Sequence, residues 1–131
     1  MMVWGFQCSF LVLLHPIGWA LAALAIIAAV RANMNGTWSH WAWLWLAWPL
    51  LMAVVTLAWG MNHWYDPEHR DPRGSTTPLN VILAIYLVGF LLGILLTRKA
   101  RAATIAVLSF GSFYLLGCYF VASMAVTGLW L

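Results

Sequence analysis

The chain has 131 residues, 65% of them hydrophobic and only 7% charged, with a net charge of +3. A water-soluble domain carries roughly 25% charged residues, so this composition excludes a globule in water and predicts a polytopic α-helical membrane protein. The modest positive charge is accounted for by membrane topology and requires no nucleic-acid partner.

Four apolar runs, roughly residues 8–30, 41–61, 78–97 and 102–125, each approach the ~20 residues that cross a bilayer core. They predict one four-helix transmembrane domain over residues 1–131, an all-α antiparallel bundle with short loops. The runs are continuous rather than alternating, which disfavours a β-barrel. The first lacks a cationic leader and reads as a retained helix rather than a cleaved signal.

In the first run, Gly18, Ala22, Ala25 and Ala29 recur at steps of four, three and four. That spacing puts small residues on one face, where another helix can approach closely. His15 joins the same stripe, so it is expected to face protein and is the first candidate for holding a cofactor. Pro16 follows it and would leave a carbonyl one turn earlier without its donor. Arg31 then closes the run.

The second run carries Trp38, Trp41, Trp45 and Trp48 as an aromatic stripe. Tryptophan concentrates where bilayer meets water, which accounts for Trp38 and Trp41. Trp45 and Trp48 lie deeper, and their indole N–H groups need partners. Both are therefore candidates for contacting a bound quinone or pigment, although packing is the plainer expectation.

The loop over residues 62–77 holds every acidic residue of the chain: Asp66, Glu68 and Asp71. His63, Asp66, Glu68 and His69 are ligand types suited to zinc or copper, but their spacing matches no established metal motif. Asp66–Pro67 and Asp71–Pro72 are turn chemistry. The loop is expected to be a polar collar that meets a partner, with metal binding as the alternative.

Thr77 is placed to cap the third helix, with Pro78 in its first turn. Gly89 and Gly93 form a GxxxG contact motif in this helix, and Gly111, Cys118, Ala122 and Ala125 continue the small-residue theme in the fourth. The link between them, Arg98–Lys99–Ala100–Arg101, is short enough to predict an antiparallel hairpin. Gly18, Ala22, Gly89, Gly93, Gly111 and Ala122 are the expected helix-packing positions. Cys8 and Cys118 are too few for a disulfide framework and read as free thiols.

Arg31 and the Arg98–Arg101 cluster outweigh Arg70 and Arg73, which sit among the acids. The positive-inside rule puts the larger group in the cytoplasm of a bacterial-type inner membrane. Both termini and the loop 62–77 then lie outside.

No Asp, Glu, Lys or Arg falls inside a predicted membrane core, and such residues usually mark ion pathways. The small multidrug exporters resemble this chain in size and helix number, but it lacks their essential membrane carboxylate. No catalytic residue is indicated: no phosphate-binding glycine loop, CxxC or HExxH occurs. His15 and His63 differ in expected depth by roughly 10–15 Å, too far to share one haem, and no cofactor is expected to be bound by this chain alone. The chain is similar to the small anchor subunits of respiratory oxidoreductases in hydrophobicity and few-helix plan only. The expectation is a non-catalytic accessory subunit of a larger membrane complex, on general grounds an energy-transducing, electron-transport one, packed against a catalytic core and helping to enclose lipid, quinone or pigment. The rivals are a homo-oligomeric channel or small transporter lined by His15, Thr56, Asn80 and Tyr86, and a metal-handling membrane protein using the outer loop.

Overall fold

The computed structural model describes residues 15–37, 42–63 and 76–128, and these are all-helical with short connections. Four helices follow in order: α1, Pro16–Met34; α2, Ala42–Asn62; α3, Thr77–Leu96; and α4, Arg101–Thr127, the last preceded by a 3-10 turn over Arg98–Ala100. Three spans, Pro16–Met34, Thr77–Leu96 and Arg98–Thr127, are long and apolar enough to cross a membrane, and α2 adds the shorter apolar stretch Ala47–Asn62. Their number fits a multi-pass membrane protein.

The distribution of side-chain size supports the same environment. Alanines fill much of the interior, where Ala25, Ala53, Ala103, Ala122 and Ala125 are buried beside Tyr86, Leu79, Leu108 and Leu115. Many other large apolar side chains face outward, with Ile26 64% and Leu96 71% exposed. In water this arrangement would forfeit about 1.5–3 kcal/mol for each large side chain left uncovered. In lipid the tails are as apolar as leucine, and small residues are retained inside because they let helix backbones approach.

Contacts between numbered positions set the register. Pro49 of α2 meets Gly111 of α4, and Gly60 meets Ala122. The numbers rise together, so α2 and α4 run parallel and form the central pair. Tyr86 of α3 reaches Leu108 and Ser112 of α4, whereas Asn80 reaches Tyr119; here the numbers run oppositely and the pair is antiparallel. Ala32 of α1 clusters with Ala100 and Ala103 while His15, before α1, lies near Phe113, which sets α1 antiparallel to α4 as well. Among the described residues α4 packs most heavily on α2 and α1, and α3 packs more lightly on α2 and α4. The central helix is therefore α4, with α1 laid along one side of it.

Two helix starts depart from the sequence expectation. His15 is extended (φ −68°, ψ 134°) and caps α1, its Nδ1 accepting from the Ile17 N–H at 3.3 Å. The residue before a proline is disfavoured from helical geometry, so Pro16 begins this helix rather than kinking it. His15 is consequently outside the small-residue periodicity and is exposed; the expected run over residues 8–14 lies outside the described residues. At α3, Thr76 rather than Thr77 occupies the cap position, and its side chain makes no capping hydrogen bond.

Candidate functional site

A large recess lies between α2 and α3, at the end of the bundle that carries Arg98 and Lys99. Its volume is about 1010 Å³, at the upper end of the roughly 300–1,000 Å³ of small-molecule pockets. Trp48 and Gly89 close its inner end, Trp45, Leu44 and Leu92 form its walls, and Thr97, Arg98 and Lys99 stand at its rim.

The glycines of α3 explain the shape. A Cβ at Gly89 would collide with the Trp48 indole, and one at Gly93 would lie 3.0 Å from Cε3 of Trp45. The GxxxG face thus receives two indole rings from α2 instead of a helix backbone. The Trp48 indole nitrogen donates to the Tyr86 carbonyl at 3.5 Å, a long bond at the limit of useful geometry. The two candidate cofactor-contacting tryptophans, Trp45 and Trp48, therefore share one apolar cleft, and Trp48 has its polar partner within the chain.

Helix approach is closest elsewhere, between α2 and α4. Gly60 lies against Ala122, where an added Cβ would be 2.8 Å from the Ala122 Cα. Gly111 leaves the space that the buried Pro49 ring fills. Gly18 is buried and Ala22 half-buried on α1.

Several interior hydroxyls bond to helix carbonyls, either across to another helix or within their own. The Tyr86 hydroxyl donates to the Leu108 carbonyl at 3.1 Å and lies 2.8 Å from the Ser112 Oγ. Ser112 also donates to the Leu108 carbonyl at 2.8 Å. Thr56 donates to the Met52 carbonyl at 2.7 Å, and Tyr119 donates to the Asn80 Oδ1. None of His15, Thr56, Asn80 and Tyr86 lines the large cleft.

The histidines lie apart. The His15 ring sits 6.1 Å from that of Phe113, near the middle of α4. His63 follows Gly60, which is level with Ala122, and its ring stacks on Trp59 at a centroid distance of 3.8 Å. From Phe113 to Ala122 along α4 is about 13 Å at ~1.5 Å per residue. His63 also places Nδ1 3.1 Å from the Trp59 carbonyl. Its suggested co-ligands Asp66, Glu68 and His69 lie outside the described residues; among the described residues no group of three or more His, Cys, Asp or Glu side chains is positioned to hold a metal.

The rim of the cleft was not singled out by sequence as a site, because "TRKAR" serves equally as a tight basic turn. A usable signal was present: the turn follows the GxxxG motif by one to three helical turns, so cations necessarily border whatever the glycines admit. No protein family, curated protein or solved structure matches this chain.

Proposed function

We propose that this chain is a non-catalytic, multi-pass subunit of a larger integral-membrane complex, with a packing role rather than a transport or catalytic one. The observation that carries the reading is the commitment of the polar side chains that a conduit would need. Tyr86, Ser112 and Thr56 bond to helix carbonyls, and Tyr119 bonds to the exposed Asn80. A conduit built from these residues would have to break bonds within its helices and between α3 and α4.

The partner surface in this proposal is α1. It packs mainly on α4, and Trp19, Ile26 and Val30 are all more than half exposed. Lipid can cover such a face, but a neighbouring protein helix does so with directional packing. The proposed orientation puts Arg31 and Arg98–Arg101 in the cytoplasm of a bacterial-type inner membrane and residues 62–77 outside.

The test is site-specific photocrosslinking from position 26 in native membranes. The expected product is a stoichiometric adduct with one different protein, lost when Trp19 and Val30 are replaced by polar residues. Adducts with lipid alone, or with a second copy of this chain, overturn the subunit reading. Replacing Tyr86 by phenylalanine supplies the other arm. A flux carried by the chain and abolished by that change would instead establish the transporter.

A further inference from the structure

We infer that the basic end of the bundle is a binding site for a two-chain anionic phospholipid. The headgroup sits on Lys99 and Arg98, and an acyl chain runs between α2 and α3 to Trp48 and Gly89. This inference stands whether or not the chain has a protein partner.

Charge is the first ground. Arg31, Arg98, Lys99 and Arg101 are exposed at one end of the bundle. No acidic residue occurs among the described residues; Asp66, Glu68 and Asp71 fall outside them. Cations at the end of membrane-spanning helices attract anionic headgroups, and basic pockets between such helices hold them. A neutral quinone or pigment would leave these charges unmatched.

The second ground is length. Lys99 is ten residues from Gly89, about 15 Å at ~1.5 Å per residue. That is half of a hydrocarbon core of about 30 Å, so the cleft is as deep as one leaflet. Its polarity runs the right way, from cations at the mouth to indole, leucine and glycine at the inner end.

A second recess fixes the number of chains. It measures about 420 Å³ and is bordered by Leu24, Ile27 and Ala28 of α1 together with Arg31 and Arg101. Thr37, Lys99 and Ala100 border both recesses. Lys99 therefore stands between two apolar clefts, the position of a headgroup that splits into two tails.

The full chain, purified in a mild non-ionic detergent, is titrated with dioleoyl-phosphatidylglycerol or dioleoyl-phosphatidylcholine, and adducts are counted by native mass spectrometry. The expected result is one retained phosphatidylglycerol, bound at least tenfold more tightly than the zwitterionic lipid. At roughly fivefold per cation, Arg98→Gln together with Lys99→Gln should lower that affinity by about twenty-fivefold and leave phosphatidylcholine unchanged. Leu92→Trp, which fills the cleft from a half-exposed position, should weaken both lipids. Circular dichroism checks that each variant retains its helices, and Arg31→Gln with Arg101→Gln provides a second charge variant. Equal binding of the two lipids, a preference that survives both charge variants, or binding indifferent to Leu92→Trp overturns the inference. Displacement of phosphatidylglycerol by millimolar inorganic phosphate also overturns it, since the site would then take a free anion.

Discussion

Tyr86 is where a single side chain most visibly joins two helices. Its ring is 2% exposed in the cluster with Ala53, Leu115 and Cys118, and its hydroxyl ends on the Leu108 carbonyl and the Ser112 Oγ. Tyr86→Phe keeps the ring and removes the bridge, while Ser112 retains its own bond to Leu108. The expected cost is about 1 kcal/mol, in keeping with interhelical hydrogen bonds in membranes, measured by reversible unfolding in mixed micelles. A cost near zero would mean that the hydroxyl is not holding α3 to α4. Ser123 offers the opposite case. Its Oγ is buried without a hydrogen-bond partner among the described residues, so Ser123→Ala should be neutral or stabilising by up to ~1 kcal/mol. A clear loss of stability on the same assay would reveal a partner for that hydroxyl.

The elements are governed by shape more than by polarity. Pro49 interrupts α2 and removes one backbone bond, yet its buried ring occupies the space left by Gly111. Gly111→Ala alone should therefore destabilise the bundle by roughly 1–3 kcal/mol through overpacking. The same change in a Pro49→Ala background should cost at least ~1 kcal/mol less, as expected for residues in direct contact. Strict additivity in that double-mutant cycle would dissociate the two residues. The spans themselves were legible in the sequence, because runs of about twenty apolar residues have few alternative outcomes. Which side chain fills which gap was not legible. GxxxG at Gly89 and Gly93 suggests a neighbouring helix backbone, whereas Trp45 and Trp48 lie there. Small-residue periodicity shows that something comes close without showing what. The place of His15 differs from its spacing for a local reason: that spacing continues the alanine stripe, but the following proline starts α1 and leaves His15 as an extended cap, with its ring 6.1 Å from that of Phe113.

At the scale of the whole molecule, many large apolar side chains face outward while small ones share the interior with Tyr86, Leu79, Leu108 and Leu115, and α1 packs mainly on α4. That outward exposure was implicit in the composition, since 65% hydrophobic residues cannot all be interior in a chain of this length. The one-sided attachment of α1 was not, because each run carries a similar small-residue face and periodicity does not rank the possible pairings. The cleft between α2 and α3 was likewise hidden: it arises from the width of two indoles wedged against glycines. An incompletely covered helix, and the bonds already made by Tyr86, Ser112 and Thr56, support a component of something larger. Native mass spectrometry of the chain, extracted gently from its own membranes, tests that claim most directly. The account predicts different partner chains at a fixed stoichiometry, whose dissociation follows substitution on the α1 face. A chain found only as a monomer or as a homo-oligomer would contradict it.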